Sequence, residues 1–172
     1  MKKLVIALSN RNGCSVEITK RISEELNCDK IILREKNIKN CIGCLSCHNQ
    51  PTCILNDDMP SVYDKLLNND LLVFVTPNYF DGLSGYAKNF FDRLHPFYRF
   101  PMLQNKKVVF IFVGGGKADG TLEEMNTSVR GIIKYFKFDV LKNFALQALN
   151  VNDLSKTNKE LDEIIEFIKK ME

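Results

Sequence analysis

The chain has 172 residues, the size of one ordinary domain. Apolar residues make up 45% of the chain and charged residues 26%, which is typical of a globular protein and excludes disorder or collagen-like structure. The net charge of +3 is far below that of a nucleic-acid-binding surface. No apolar run reaches the ~20 residues of a membrane helix, and no signal peptide is recognisable. We therefore expect a cytoplasmic protein that binds neither nucleic acid nor membrane.

Segments with strand and helix patterns alternate along the chain. In chain order, the patterns predict strands at 3–8, 30–35, 71–76, 107–113 and 139–149, and helices at 15–27, 59–66, 83–94, 121–133 and 161–168. Asp57 or Asp58, with Pro60, marks the start of the second helix, and Thr121 with Glu124 matches a capping box. The alternation favours a single α/β domain over residues 1–172, with one parallel sheet covered on both faces.

Ligands of such sheets bind at the carboxyl ends of the strands, so the loops there are candidate sites. The first strand is followed by Ser9-Asn10-Arg11-Asn12-Gly13-Cys14-Ser15 and then a helix. The helix N-terminus, two serine hydroxyls and the Arg11 cation would suit a phosphate. The loop has neither the Walker A nor the G-x-G-x-x-G pattern, which disfavours an ATPase and the usual dinucleotide site. An ordinary strand–helix turn is the alternative.

Two further loops should lie at the same sheet edge. Tyr79 and Phe80 follow the third strand and could form a wall for a flat aromatic ligand, unless both pack under the next helix. Gly114, Gly115 and Gly116 follow the fourth strand and permit close approach of the backbone, unless they form a plain turn. Together the three loops indicate a site for a mononucleotide with a flat ring system.

A long segment without periodicity, residues 36–57, carries most of the cysteines and is called the cysteine loop below. Its thiols are Cys41, Cys44, Cys47 and Cys53. Clustered cysteines in a chain without export signals indicate metal or redox chemistry. Compact C-x2-C-x2-C runs can wrap an iron–sulfur cubane, whereas structural zinc more often uses two separated C-x2-C units. A [4Fe-4S] cluster, zinc, and free or redox-switching thiols are the three interpretations.

The chain resembles the flavodoxin-like NAD(P)H-dependent FMN reductases, and in particular their iron-sulfur flavoprotein branch. The resemblance is carried by Ser9-x-Arg11 with Ser15, by the spacing of the four loop cysteines followed by Asp57-Asp58-Met59, and by Thr76-Pro77-Asn78-Tyr79 with Gly82, Ser84-Gly85, Lys88 and Phe91-Asp92-Arg93. The chain departs from the family at Leu8, where glycine is usual, and at Cys14, where asparagine is common.

This resemblance implies a flavodoxin-like three-layer sandwich with a five-stranded parallel sheet in the order 2-1-3-4-5. It also implies noncovalently bound FMN. The residues expected around FMN are Ser9, Arg11, Cys14 and Ser15 at the phosphate, Pro77, Asn78, Tyr79, Phe80 and Gly82 along the ring, and Gly114, Gly115 and Gly116 at its other edge. The same resemblance supports a [4Fe-4S] cluster on Cys41, Cys44, Cys47 and Cys53.

The function implied is an FMN-dependent oxidoreductase that passes a hydride from NAD(P)H to a quinone, flavin or other acceptor. No catalytic side chain is assigned, because the flavin carries the chemistry. One alternative is an FMN/[4Fe-4S] electron-transfer protein that serves a ferredoxin-like redox partner without NAD(P)H turnover. Another is a metal- or redox-sensing protein without flavin. The aromatic stretch 89–102 favours a subunit interface in a homodimer or homotetramer, the alternative being packing on its own chain.

Overall fold

The computed structural model describes residues 1–171 and forms one α/β unit. The strands are β1 (Lys3–Ala7), β2 (Asp29–Ile32), β3 (Leu71–Tyr79), β4 (Gly82–Leu83), β5 (Lys107–Gly114) and β6 (Asp139–Gln147). The helices are α1 (Cys14–Glu25), α2 (Met59–Leu67), α3 (Gly85–Arg93), α4 (His95–Arg99), α5 (Ala118–Phe136) and α6 (Asn158–Lys169). Single-turn or short 3-10 segments occur at Leu33–Glu35, Ser46–His48 and Val151–Thr157.

Five of the strands form a parallel sheet in the spatial order β2-β1-β3-β5-β6. The sixth strand, β4, pairs antiparallel with the end of β3 and lies outside this path. The predicted order 2-1-3-4-5 is confirmed for the five parallel strands, and only the numbering shifts because the hairpin strand β4 intervenes. The carboxyl ends of β1, β3 and β5 therefore meet at one edge, as the sequence predicted.

Helices cover both faces of the sheet. On one face, α1 and α6 pack over a cluster that includes Ile18, Ile22 and Ile164. On the other face, α2, α3 and α5 enclose a larger cluster around Phe74 and Phe110. Strands β1, β3 and β5 are buried on both sides, which explains why each reads as a nearly continuous apolar run.

The predicted capping box at Thr121 is wrong. The fifth helix already begins at Ala118, and the Thr121 N–H donates to the Lys117 carbonyl 3.0 Å away. The helix starts as soon as the glycine loop ends, which places Thr121 inside it. A capping box does occur elsewhere, between Asn150 and Asp153. The short elements β4 and α4 were not predicted, because a two-residue strand and a five-residue helix carry little periodicity.

The aromatic stretch after α3 packs mostly on its own chain. Phe97 is buried against Tyr63, with ring centroids 4.6 Å apart. Tyr98 is half exposed and meets Tyr135 of α5 edge-on at 5.6 Å. Phe97 therefore follows the alternative of packing on its own chain, whereas Tyr98 and Tyr135 remain at the surface. Within residues 1–171, no helix is long and apolar enough to cross a bilayer.

Candidate functional site

The loop between β1 and α1 is tied into a tight turn by Ser9. The Ser9 hydroxyl accepts a hydrogen bond from the Arg11 N–H at 3.2 Å and donates one to the Arg11 carbonyl at 3.0 Å. The N-cap of α1 is Gly13, which supplies no side-chain oxygen. The first backbone N–H groups of the helix, at Cys14 and Ser15, therefore lack a side-chain cap and remain available to an anion.

Arg11, the cation of this loop, is held by a residue from near the other end of the chain. Its Nη2 donates to Asn150 Oδ1 at 3.1 Å, and its side chain covers Gly13, where an added Cβ would lie 3.3 Å from Arg11 Nε. Asn150 is fixed in turn by Asp153, whose carboxylate accepts from the Asn150 N–H at 2.9 Å. The sequence analysis missed Asn150 and Asp153, although their i, i+3 spacing at a helix start is a capping signal that could have found them.

Cys14 and Ser15 open α1, and both are buried. The Cys14 side chain packs into the apolar cluster beneath the helix, and this burial raises the pKa of its thiol above the ordinary value. Its contribution to the loop is therefore its backbone N–H rather than a thiolate. Ser15 is likewise buried, with 4% of its surface exposed.

A strained hairpin follows β3 at the same sheet edge. Asn78 pairs with Leu83 and Tyr79 with Gly82, which leaves Phe80 and Asp81 as the two-residue turn. Both turn residues have positive φ, 51° and 58°, as a type I′ turn requires. This conformation is unusual for a bulky residue such as Phe80, and backbone strain of this kind gathers at functional sites.

The hairpin presents its aromatics to solvent. The Phe80 side chain is fully exposed and Tyr79 is half exposed. The alternative that both rings pack under the following helix is therefore wrong. Beside them Asn78 carries a buried Oδ1 that has no hydrogen-bond partner within residues 1–171, although its Nδ2 lies 3.4 Å from Asp81 Oδ1. A buried acceptor without a partner costs free energy unless a ligand supplies the donor.

The glycine loop after β5 brings its backbone close to both neighbouring loops. A Cβ added at Gly114 would lie 3.2 Å from Asn78 Cβ, and one at Gly115 would lie 3.3 Å from Leu149 Cδ1. A Cβ at either position would force Asn78 or Leu149 to shift by a few tenths of an ångström. The loops after β3, β5 and β6 therefore lie close together, and the loop after β1 joins them through the bond between Arg11 and Asn150.

The cysteine loop lies beside this edge, and its thiols are accessible to different degrees. Cys41 and Cys44 are exposed, whereas Cys47 and Cys53 are half-buried. Burial raises the pKa of Cys47, and negative charge on Cys41, Cys44 or Cys53 would raise it further. Within residues 1–171 they do not form a group that could hold a metal ion as they stand.

A histidine contacts the half-buried part of this loop. Cys47 Sγ lies 3.2 Å from His95 Nδ1 at the start of α4, and the His48 ring stacks on His95 with centroids 5.2 Å apart. Cys44 differs, because hydrogen bonds from the side chain and backbone of Ser46 lower the pKa of its thiol. His95 therefore anchors the middle of the cysteine loop to the helical face.

A groove of about 960 Å³ separates the cysteine loop from α5. Its wall includes Cys41, Leu83, His95, Tyr98 and Tyr135. It touches the hairpin through β4, but no residue of 9–15 or 114–116 lines it. The groove therefore adjoins the three-loop site without being part of it.

The fold is that of a flavodoxin-like domain, and its candidate ligand site lies at the carboxyl edge of the sheet. A family model described as NADPH-dependent FMN reductase matches residues 1–148. The chain belongs to this family of flavin-dependent oxidoreductases.

Two relatives and one solved structure agree with this family assignment. The chain is 24% identical over 169 residues to an iron-sulfur flavoprotein of Methanosarcina thermophila, covering 92% of this chain and 87% of that one. It is 29% identical over 121 residues to an iron-sulfur flavoprotein of Methanocaldococcus jannaschii, covering 70% of this chain but only 61% of that one. Its fold is similar to that of the apo form of an NADH:FMN oxidoreductase, with a TM-score of 0.68, 17% identity and coverage of 98% and 88%.

The residues at the sheet edge fit FMN. The uncapped start of α1 and the Arg11 guanidinium suit a phosphate. The unpartnered Asn78 Oδ1 can accept from a polar ring edge, and the exposed Phe80 and Tyr79 can contact a ring face. These features come from two separate segments, the 9–15 loop and the hairpin at 77–82, so their agreement on one ligand does not depend on a single motif.

Proposed function

We propose that this chain binds FMN at the sheet edge and uses it to pass electrons from NAD(P)H to a quinone, a flavin or another acceptor. The observation that carries the proposal is the convergence of an uncapped helix start, a guanidinium, a strained aromatic hairpin and a buried unpartnered acceptor. Each of these features is unfavourable or unexplained without a ligand. Bound FMN supplies hydride acceptance and one- or two-electron release.

The protein's own residues bind and orient this ligand. Arg11, placed by Asn150, and the N–H groups at the start of α1 hold the phosphate, with the hydroxyls of Ser9 and Ser15 beside them. The segment 77–82 lines the ring, and Gly114 to Gly116 bring backbone to its other edge. No side chain is needed to transfer a proton, so none is assigned a catalytic role.

We propose further that the cysteine loop holds a [4Fe-4S] cluster through Cys41, Cys44, Cys47 and Cys53. The donor set suits iron, because four thiolates complete one cubane and all four come from the short segment 41–53. Two relatives are themselves named iron-sulfur flavoproteins. The loop would close around the metal, since its cysteine segment is exposed and the thiols do not converge without it. A cytoplasmic location is part of this proposal, because thiols stay reduced there.

The first test is the visible spectrum of protein purified without oxygen, followed by turnover of NADH and NADPH with a quinone. We expect a flavin spectrum on a broad brown absorbance that is lost in air. A variant with Cys41, Cys44, Cys47 and Cys53 all changed to Ser is the matched control, and it should keep the flavin and lose the brown component. A purely yellow wild-type protein would overturn the cluster, and protein that neither contains nor binds FMN would overturn the flavin site.

A second function is favoured by the exposure of the cysteine loop. Cys41 and Cys44 lie at the surface beside the groove, so a metal centre there would be open to a redox protein as well as to a small molecule. An electron-transfer protein would show reduction of FMN by a ferredoxin-type donor and no turnover with either nicotinamide nucleotide. The same turnover assay therefore separates the two functions.

We also propose a homodimer or homotetramer. Tyr98, Tyr135 and Met102 are exposed apolar side chains, and the two tyrosines line the groove. The exposed pair of Tyr98 and Tyr135 at the groove favours a contact between subunits. Size-exclusion chromatography with light scattering decides this, and a monomer would overturn it.

A further inference from the structure

Arg93 is the bulkiest of the fully buried side chains among the described residues. A guanidinium is rarely buried without a specific partner, because removing its charge from water costs several kcal/mol. It ends α3, next to the place where the cysteine loop joins the domain. Arg93 binds Asp57 there. This contact connects two sequence motifs that the proposed flavin site does not use, Asp57-Asp58-Met59 and Phe91-Asp92-Arg93.

The guanidinium holds both ends of the cysteine loop. Its Nη1 donates to Asp57 Oδ2 at 2.5 Å and its Nη2 to Asp57 Oδ1 at 3.1 Å, in a side-chain pair that is 0% exposed on either side. The same Nη1 donates to the Lys39 carbonyl at 2.6 Å. Lys39 lies at the start of the loop and Asp57 at its end, so one side chain joins positions 18 residues apart.

Asp57 completes the arrangement from the other side. Its Oδ2 also accepts from the Lys39 N–H at 2.9 Å, and its Oδ1 accepts from the Met59 N–H at 3.0 Å, at the start of α2. Both backbone groups of Lys39 are therefore bound by the Arg93–Asp57 pair. A residue of α3 holds the same segment of the loop: Asn89 Oδ1 accepts a hydrogen bond from the Cys41 N–H at 3.1 Å.

The fourth cysteine lies near the same pair. Cys53 packs against the core cluster, and a negative charge on it would raise the pKa of Arg93. Arg93 Nε is buried and has no hydrogen-bond partner in the part of the chain that is described. The Nε–H of Arg93 is thus available to donate a further hydrogen bond, and it belongs to the side chain that already binds both ends of the loop.

We propose that Arg93 and Asp57 are positioning residues that close the base of the cysteine loop and so keep its four thiols within reach of one metal centre. Closing the loop in advance removes chain entropy that metal binding would otherwise have to overcome. This inference rests on the proposed function in so far as the thiols take up metal. The Arg93–Asp57 ion pair with its bonds to Lys39, called the clamp below, is present in the protein without metal.

The experiment compares Arg93→Met and Asp57→Asn with wild type as FMN-loaded, metal-free protein. We expect the Zn²⁺ affinity of both variants, measured in competition with a chromophoric chelator, to fall by about tenfold or more. Residues that position metal ligands commonly change metal affinity by such a factor. Hydrogen exchange should be faster in residues 40–56 and unchanged in the sheet, with FMN affinity retained. Tyr63→Phe is the matched control, because it removes the Tyr63 hydroxyl bond to the Arg93 carbonyl and leaves the clamp intact.

Variants with wild-type zinc affinity and wild-type exchange in residues 40–56 would overturn the clamp, as would exchange that rises evenly across the whole chain. If Arg93→Met does not fold, Asp57→Asn gives the same readouts, and Arg93→Lys should recover only part of the zinc affinity because it keeps the charge and loses the fork. Wild-type protein that retains neither iron nor zinc would overturn the metal centre alone, and the exchange data would still decide the clamp.

Discussion

The sheet edge and the cysteine loop are the two chemically distinctive regions of this protein, and they are built in different ways. At the sheet edge, Gly114 and Asn78 lie at the ends of strands that are buried on both faces, and their positions follow from the core. In the cysteine loop, Cys41 and Cys44 are exposed, and the loop is held by individual side-chain contacts, at its base by Arg93 and in its middle by His95. The core organises the first region before any ligand binds, whereas the proposed metal centre would require the thiols of the second region to come together on binding.

If this contrast holds, damage to the core should abolish the flavin site. Phe110 is fully buried among Phe74, Phe91 and Phe112. We expect Phe110→Ala to lower the free energy of unfolding by about 3–5 kcal/mol, as a large buried cavity does. Urea unfolding measures this, with Tyr135→Ala, an exposed aromatic, as the control. Equal effects of the two substitutions would contradict the assignment of the core.

A smaller but local effect is expected at the phosphate loop. Arg11→Ala removes a charge-assisted contact, so FMN affinity should fall by roughly 10- to 100-fold, since such hydrogen bonds contribute about 1.5–3 kcal/mol. Fluorescence titration of the apoprotein with FMN gives the dissociation constant. Lys20→Ala, on α1 beyond its first turn, should leave FMN affinity and metal content unchanged. Unaltered FMN binding in Arg11→Ala would place the phosphate elsewhere.

As the pH falls, we expect the base of the cysteine loop to lose its hydrogen bonds before the sheet edge is affected. Burial raises the pKa of Asp57, but the Arg93 guanidinium and the N–H groups of Met59 and Lys39 lower it further, so the net pKa lies below its ordinary value. The ionised carboxylate therefore stabilises the loop fully above the unfolded pKa of about 4, and this stabilisation is lost as pH falls through the lower folded pKa.

Hydrogen exchange of residues 40–56, corrected for intrinsic rates, should consequently rise in the wild type as the pH falls below about 4. Asp57→Asn cannot ionise at this position, so its loop should exchange fast at every pH in that range. A wild-type profile as flat as that of the variant would show that the carboxylate does not hold the loop.

The smallest effect is expected at the hairpin. Phe80→Asn relieves a left-handed conformation that costs a bulky residue roughly 1 kcal/mol, so the flavin-free protein should gain about 0.5–1 kcal/mol of stability. FMN affinity should fall, because the exposed aromatic contact is lost. Thermal unfolding with and without FMN separates the two effects. A variant that is destabilised without FMN would show that the turn is not strained.

Much of the fold could be read from the sequence because apolar periodicity reports burial directly. The runs at β3 and β5 are apolar at nearly every position since both faces are covered, and this predicted a parallel sheet. Short elements were missed: β4 depends on the turn at Phe80 and Asp81, which no turn propensity favours at the first position. The start of α5 was misplaced because a capping pattern at Thr121 also fits the interior of a helix.

The sequence by itself determined which chemical groups are available for binding: a phosphate-type loop, an aromatic pair, three glycines and four closely spaced thiols. Each is defined by residue type and local spacing. Only the tertiary structure decided which of these act together. Asn150 reaches Arg11 across 139 residues, and Arg93 reaches Asp57 across 36, and neither contact leaves a local signal. The physical reason is that periodicity and capping depend on near neighbours in the chain, whereas a buried ion pair or a shared binding edge depends on how strands from distant positions pack side by side.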